Sequence, residues 1–293
     1  MKAPVTGRYP SPRALLERYG HRAKKSWGQN FLGDEQVLAD IARLAAPSPG
    51  ARVVELGAGL GHLTFRLLQR GAQVVAVERD REMAEVLRGE LGGRITLVEA
   101  DAVTLEYGPI RRGFSPATPT PTPRLTIAGN LPYHLTSPIL FSLLDQLEHV
   151  ERAVFLLQRE VAERLAAEPG TRDWGLLSVL LQREADVSVE RIVKPGAFFP
   201  PPKVESAVLC ALFRPPASAL LDPARFRKLV KAGFGQRRKT LANALKAGNV
   251  APPELLGAAL AAAGIDPSRR GETLAVEEWA ALDRALGPAV PAP

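Results

Sequence analysis

The sequence predicts an α/β fold, in which helices cover both faces of a parallel sheet, followed by a small all-α C-terminal domain. Three observations support this class. Short, continuous apolar runs alternate with segments of helical periodicity, a pattern typical of strands that are buried on both faces. A glycine-rich turn joins the first apolar run to the next helical segment. Beyond Pro215 and Pro216, only helical patterns remain.

The elements follow in chain order. A helix is predicted from Pro12 to Tyr19 and another from Asp34 to Ala45, with Asp34 as the N-cap. Further helices are expected from Leu63 to Arg70 and from Glu82 to Leu91. Strands are predicted at five apolar runs, which are Arg52 to Leu56, Val74 to Glu78, Ile95 to Val98, Leu125 to Ala128 and Ala153 to Leu157. Ligands bind open α/β sheets at the carboxyl ends of the strands, so the residues that end these runs are the candidates for a site.

We expect the chain of 293 residues to consist of four consecutive segments. Residues 1–22 form an N-terminal extension, 23–214 the α/β domain, 218–286 the helical domain and 287–293 a tail. Within the α/β domain, residues 107–124 contain repeated Pro and Thr. Proline cannot donate a hydrogen bond to a sheet, so this segment is expected to be an exposed insertion in a loop.

The charge distribution favours a polyanionic partner. The chain has 38 Lys and Arg against 31 Asp and Glu, and the excess lies at its two ends. Residues 224–246 contain eight basic residues and no acidic one, which is the pattern expected of a nucleic-acid binder, although a solvated helix face would show it too. The single cysteine, Cys210, excludes an intramolecular disulfide and a multi-cysteine metal site, and it favours a reducing, cytoplasmic setting. We expect no metal and no membrane partner.

Acidic residues and glycines meet at the predicted strand ends. The first strand runs into Glu55, Gly57, Gly59 and Gly61, a G-x-G-x-G turn that lets the backbone pass close to a ligand. Glu55 suits a ligand with a cationic end better than a pyrophosphate. Glu78, at the end of the second strand, can accept both hydroxyls of a ribose. Asp101 and Ala102 follow the third strand, where Asp101 can accept from an adenine amine. Together they predict an adenosine cofactor, and S-adenosylmethionine fits better than NAD.

The fourth strand ends in Asn130, Leu131, Pro132 and Tyr133. An amine on an aromatic base is a poor nucleophile because its lone pair is delocalised into the ring. The side-chain oxygen of Asn130 and a main-chain carbonyl near Leu131 can accept both N–H groups and aim the lone pair at a methyl donor. Pro132 holds the turn in one shape, and the ring of Tyr133 offers a surface on which a base can stack.

These motifs resemble those of the bacterial small-subunit (16S) ribosomal RNA adenine dimethyltransferases, which are Rossmann-like methyltransferases dependent on S-adenosylmethionine. The asparagine tetrapeptide and the glycine turn carry the resemblance, together with three further segments, which are residues 25–32, 198–206 and 235–243. Ala58 stands where the family commonly has proline.

The resemblance implies two methyl transfers to each of two adjacent adenines near the 3′ end of that RNA, with a role in subunit biogenesis. It places Gln29, Asn30 and Leu32 on the cofactor, and it places Phe198 and Tyr133 on either side of the flipped adenine. We expect a monomer whose contacts to RNA phosphates come from the basic residues Lys24, Lys25, Lys203, Lys231, Arg237, Arg238 and Lys239.

Three other functions stay open at this point. The basic ends would also serve a ribosome-assembly factor in which methylation is incidental. Methyltransferases that act on large-subunit RNA and confer antibiotic resistance share the general motifs. DNA adenine methyltransferases usually carry D-P-P-Y, where this chain has N-L-P-Y, which makes DNA the least favoured substrate.

Overall fold

The computed structural model describes residues 5–287, apart from 115–122 and Arg237. The helices are α1 Pro12–Tyr19, α2 Glu35–Ala45, α3 His62–Gln69, α4 Arg81–Leu91, α5 Tyr107–Gly113, α6 Thr136–Leu144, α7 Arg159–Leu165, α8 Leu176–Glu184, α9 Pro223–Gly235, α10 Leu241–Ala247, α11 Pro253–Ala262 and α12 Val276–Ala285. The strands are β1 Phe31–Leu32, β2 Arg52–Leu56, β3 Gln73–Val77, β4 Thr96–Val98, β5 Leu125–Asn130, β6 Val150–Gln158, β7 Ala185–Val193, β8 Phe198–Phe199 and β9 Ser206–Phe213. These bounds confirm the predicted α/β class with a helical C-terminal part.

The central sheet has the strand order β4-β3-β2-β5-β6-β9-β7 in the part of the chain that the structure describes. The pairings from β4 to β6 are parallel, and β9 runs antiparallel to β6. Chain order reverses between β2 and β5, since β3 and β4 lie on one side of β2 while β5 and β6 lie on the other. A crevice forms at such a reversal point, outside the carboxyl ends of the strands, and it is there that the candidate residues gather.

The described part of the N-terminal extension packs against the α/β part of the chain. Ser11 caps α1, and Leu15 and Leu16 are buried in a cluster with Leu60 and Met83. Ahead of the helix, the hydroxyl of Tyr9 donates to the Leu60 carbonyl at 2.9 Å. The described part of residues 1–22 therefore contributes core to the α/β unit, a role that the sequence did not assign to it.

The described residues form two compact units, which differ from the sequence-predicted ranges. The first runs to Ala162 and resumes at Val187–Phe213, whereas Glu163–Asp186 groups with everything from Arg214 onward. The sequence pattern predicts that Glu163–Asp186 belongs to the α/β domain. The structure corrects this because Trp174, fully buried, donates its indole N–H to the Leu274 carbonyl at 3.0 Å.

The proline-rich segment 107–124 begins with structure that the sequence analysis missed. Residues Tyr107–Gly113 form α5, and the Tyr107 side chain is fully buried. Pro109 falls in the first turn of this helix, where its missing N–H has no intrahelical partner to lose. The exposed loop predicted here therefore does not begin at residue 107, and residues 115–122 lie outside the described part of the chain.

No helix among the described residues is long and apolar enough to cross a membrane.

Candidate active site

The glycine turn connects β2 to α3 and lies against the end of β3. Gly57 and Gly59 have φ values of +68° and +56°, a left-handed conformation that favours glycine. The N–H groups of Gly57 and Ala58 both donate to the Val77 carbonyl, at 2.9 and 3.1 Å. A Cβ on Gly59 would lie 3.2 Å from the ring of Phe31. The turn is thus fixed by its neighbours on both sides, which keeps its backbone open towards the crevice.

Glu78 follows β3 directly and is held by two main-chain donors. One carboxylate oxygen accepts from the Gly59 N–H and the other from the Asp80 N–H, both at 2.8 Å. Burial raises the pKa of Glu78, and these hydrogen bonds oppose the rise. Each oxygen of an ionised carboxylate can accept a further hydrogen bond. Glu78 is therefore oriented to receive two ligand hydroxyls.

Glu55, inside β2, is almost completely buried beside the same turn. The Thr64 hydroxyl donates to its carboxylate at 2.5 Å. Burial raises the pKa of Glu55 to about 8, against the effect of the Thr64 hydrogen bond, and the nearby Glu78 adds to the rise. A cationic ligand group would stabilise the ionised form of this carboxyl.

Asn130 ends β5, the strand that pairs with β2, and a Cβ on Gly57 would lie 3.9 Å from the Asn130 carbonyl oxygen. Its side-chain amide N–H donates to the Asn30 main-chain carbonyl at 2.8 Å. The Asn30 side chain in turn donates to the Gly28 carbonyl at 3.1 Å. Since the nitrogen of the Asn130 amide is engaged, its orientation is fixed and its oxygen is left as the acceptor for a substrate amine.

The two aromatic residues predicted to enclose an adenine are placed differently. Tyr133 lines the cavity, and its hydroxyl lies 2.8 Å from the Ser206 hydroxyl. Burial raises the pKa of Tyr133, and the contact with Ser206 opposes it. Phe198 is 5 % exposed and packs in the core, with β8 paired to β1. In this structure only Tyr133 of the two lines the cavity, and the enclosure of an adenine by both rings stays a prediction.

One open cavity collects most of the predicted cofactor and substrate residues, all from the first unit. Those that line it are Gln29, Asn30, Leu32, Glu55, Gly57, Gly59, Glu78, Asn130, Leu131, Pro132 and Tyr133. Sequence reasoning missed an apolar set that completes the lining, namely Trp27, Phe31, Leu38, Ile41, Leu63 and Met83. Leu38 and Ile41 lie on the buried face of α2, and the helical spacing of apolar residues is the same for core and ligand contacts.

Three further predicted cofactor residues lie outside this lining among the described residues: Gly61, Asp101 and Ala102. Gly61 faces the protein instead, since a Cβ there would lie 2.9 Å from the Tyr9 hydroxyl. Asp101 is ion-paired with Arg79 at 2.8 Å and accepts from the Val103 N–H at 2.9 Å. The Asp101 side chain is 33 % exposed, so each of its carboxylate oxygens can still accept a further hydrogen bond.

The predicted RNA contacts fall into two groups. Lys24 is ion-paired with Asp80 at 2.8 Å, so its ammonium group is not free for a phosphate in this structure. The others are exposed in the described part of the chain, and they are Lys25, Lys203, Lys231, Arg238 and Lys239. Arg237 lies outside the described residues.

Sequence comparison identifies the relatives of this chain. A family model described as ribosomal RNA adenine dimethylase matches residues 20–284. The chain is 75 % identical over 284 residues to the ribosomal RNA small subunit methyltransferase A of Anaeromyxobacter dehalogenans, covering 97 % of this chain and 100 % of the relative. It is 52 % identical over 287 residues to the protein of the same name from Myxococcus xanthus, covering 96 % and 97 %.

Solved structures show the same fold. The 23S rRNA methyltransferase ErmE is similar with a TM-score of 0.63 and 29 % identity, over 88 % of this chain and 99 % of that one. A dimethyladenosine transferase from Plasmodium falciparum has a TM-score of 0.69 and 24 % identity, over 86 % and 95 % of the two chains. The likeness extends over the greater part of each chain, so it covers more than the central sheet.

Proposed function

Because the chain belongs to the ribosomal RNA adenine dimethylase family, we propose that it methylates 16S rRNA, transferring two methyl groups to the exocyclic amine of each of two adjacent adenines near the 3′ end. Membership makes it an S-adenosylmethionine-dependent rRNA methyltransferase. The choice of RNA is supported by two relatives, 75 % and 52 % identical, that are named small-subunit rRNA methyltransferases. The orientation of Asn130 is the structural observation that carries the proposal.

The residues of the cavity fit the cofactor. Glu78 presents two fixed carboxylate oxygens for the ribose hydroxyls. The buried Glu55 suits a cationic end, and Gly57 and Gly59 leave no side chains over the backbone. Bound there, S-adenosylmethionine supplies an electrophilic methyl group carried by a sulfonium ion.

The remaining chemistry belongs to the chain itself. The Asn130 side-chain oxygen accepts one N–H of the adenine amine, because the amide nitrogen is held by Asn30. A main-chain carbonyl near Leu131 accepts the other, in a segment fixed by the hydrogen bond from the Leu131 N–H to the Leu156 carbonyl at 3.2 Å. Together they turn the nitrogen lone pair towards the methyl group. As the nitrogen bonds to the methyl carbon, the carbon–sulfur bond would break and leave a neutral thioether. The amine proton, acidic once the methyl is attached, would pass to water, so positioning and electrostatics supply the rate without a strong base.

The exposed lysines and arginine named above are the proposed contacts to the RNA. Removing one contact between a basic side chain and an RNA phosphate lowers the slope of log K for binding against log salt concentration by about one. Lys239→Ala should therefore weaken subunit binding mainly at low salt.

We also propose that the protein acts as a monomer in the cytoplasm, where small subunits mature, and that it contributes to subunit biogenesis.

The decisive experiment maps methylated adenines by mass spectrometry in small-subunit RNA, after incubating unmodified subunits with the purified protein and S-adenosylmethionine. Two adjacent N6,N6-dimethyladenines near the 3′ end are expected. Large subunits serve as the matched control, because ErmE, with the same fold, is named for 23S rRNA. Transfer to large-subunit RNA, or no transfer to either subunit, would refute the proposed substrate. If Asn130→Ala protein still supports normal subunit maturation in cells, the assembly role is separate from methylation.

A further inference from the structure

The α/β unit contains a half-buried charged group, paired with a buried carboxylate, that the mechanism above does not use. We propose that the ammonium group of Lys24 is a positioning group of the methyl-transfer site, acting through Asp80, and not a contact to RNA. This inference rests on the proposed function, because the site it positions is the one assigned above. It replaces the role that the charge pattern suggested for this lysine.

Lys24 and Asp80 form a closed ion pair. The lysine Nζ lies 2.8 and 3.0 Å from the two carboxylate oxygens of Asp80, and 3.1 Å from a carboxylate oxygen of Glu82. Asp80 is 3 % exposed and is the N-cap of α4, where its carboxylate also accepts from the Glu82 N–H at 3.1 Å. A lysine that serves two carboxylates, one of them buried, would have to leave a carboxylate unpaired to reach a phosphate.

Gln29 closes this ion pair into a ring. Its side-chain N–H donates to Asp80 at 2.7 Å, while its side-chain oxygen accepts from the Lys24 main-chain N–H at 2.8 Å. Both ends of residues 24–29 are thereby tied to one carboxylate. Burial raises the pKa of Asp80, but the hydrogen bonds from Lys24 and Gln29 outweigh burial and lower it, so the carboxylate stays ionised and the ring stays closed at neutral pH.

This hydrogen-bonded ring is connected to Asn130 through Asn30. Asn30 follows Gln29 directly, and its carbonyl is the acceptor that fixes the Asn130 amide at 2.8 Å. Any displacement of residues 24–29 therefore moves the group that orients Asn130. An error of about 1 Å in such a constellation costs on the order of 100-fold in rate.

The ring is also connected, through Asp80, to Glu78 at the proposed ribose site. The Asp80 main-chain N–H donates to one oxygen of Glu78, and the Gly59 N–H donates to the other, both at 2.8 Å. The residue that receives Lys24 is thus the same one that holds Glu78. Loss of the Lys24 charge is expected to loosen both the cofactor site and the Asn130 amide.

Lys25 provides a matched control, because it is the adjacent residue, carries the same charge and is exposed. We would compare Lys24→Met with Lys25→Met. The first measurement is the S-adenosylmethionine dissociation constant by calorimetry without RNA, and the second is the dissociation constant for small subunits at two salt concentrations. Lys24→Met should weaken cofactor binding roughly tenfold, as expected for an unpaired buried group, and leave the salt slope of subunit binding unchanged. Lys25→Met should reduce the salt slope and leave cofactor affinity unchanged.

The opposite result overturns the proposal: Lys24→Met weakens subunit binding as Lys25→Met does, with unaltered cofactor affinity. Cofactor affinity is read without RNA, so the test stands even if the proposed 16S substrate is wrong. A double-mutant cycle with Asp80→Asn adds a readout that simple destabilisation would not give. If Lys24 acts through Asp80, the double variant should bind cofactor no more weakly than Asp80→Asn alone, whereas additive losses count against the proposal. Should Lys24→Met fail to fold, Lys24→Gln enters the same cycle, with the same outcomes for and against.

Discussion

The side-chain amide of Asn130 donates to the main-chain carbonyl of Asn30 at 2.8 Å, across 100 residues of sequence. This hydrogen bond fixes the orientation of the Asn130 amide. In the mechanism proposed above, that orientation is what leaves the side-chain oxygen as the acceptor for the substrate amine.

Asn130→Asp should lose methyl transfer almost as completely as Asn130→Ala. A carboxylate oxygen would replace the amide nitrogen and lie against the Asn30 carbonyl, so that two acceptors repel each other and the residue turns away. The expected loss is about 100- to 1000-fold in the single-turnover rate, with cofactor affinity changed by only a few-fold. An aspartate variant that keeps more than a tenth of the rate would show that the orientation of the amide is unimportant.

The hydroxyl group of Tyr133 should affect stability, whereas its ring should affect substrate binding. Tyr133→Phe removes the contact with the Ser206 hydroxyl, at 2.8 Å, and keeps the ring, so we expect about 1 kcal/mol loss of stability and little change in transfer. Tyr133→Ala removes the stacking surface and should raise the KM for subunits by an amount equivalent to about 1–3 kcal/mol. Thermal melting and steady-state kinetics check the two. If Tyr133→Phe loses as much activity as Tyr133→Ala, the hydroxyl and not the ring is the important group.

Glu55 should make stability fall as pH rises. Burial raises its pKa from the ordinary 4.5 to about 8. Between these pH values the folded protein keeps a proton that the unfolded chain releases, so the free energy of unfolding decreases with pH. Glu78, whose pKa is also raised, contributes with the same sign. Urea unfolding at pH 5 to 8 should give a shallower pH dependence for Glu55→Gln than for the unaltered protein; equal slopes would mean that Glu55 ionises normally.

Trp27 should report cofactor binding by fluorescence. It is 42 % exposed and lines the cavity, with the Arg79 guanidinium 5.7 Å from its ring centroid. The other two of the three tryptophans, Trp174 and Trp279, are fully buried in the helical unit. Titration with S-adenosylmethionine should change the emission, and Trp27→Phe should abolish the change while preserving most of the calorimetric affinity. A change that persists in Trp27→Phe would exclude Trp27 as its source.

The sequence predicted the fold and most of the cavity because those features depend on local pattern. Continuous apolar runs marked the parallel strands, and β2 has the predicted bounds of Arg52–Leu56. The edge strand β7 was missed, although exposed residues alternate along it with buried or half-buried ones, which is the period-2 signal of a strand. The chain position of strand-end residues was enough to bring Glu55, Glu78 and Asn130 to one edge.

What the sequence could not supply was the identity of each polar partner. Lys24 looked like part of a basic stretch, but its partner Asp80 is 56 residues away. Asp101 looked free for a ligand, whereas the structure pairs it with Arg79. Two adjacent phenylalanines differ in the same way: Phe198 is buried, while Phe199 is 40 % exposed. Such assignments depend on distant side chains that compete for the same charge or space, and no local periodicity encodes them.

The packing of the N-terminal segment also bears on how this protein should be produced. The family model matches from residue 20 onward, which invites a shortened chain that starts there. Such a truncation would remove Leu15, Leu16 and the Tyr9 hydroxyl, and would leave Leu60 and Met83 uncovered beside the glycine turn. The family-model match and the folded unit therefore begin at different positions along this chain, so affinity tags and deletions belong at the other end.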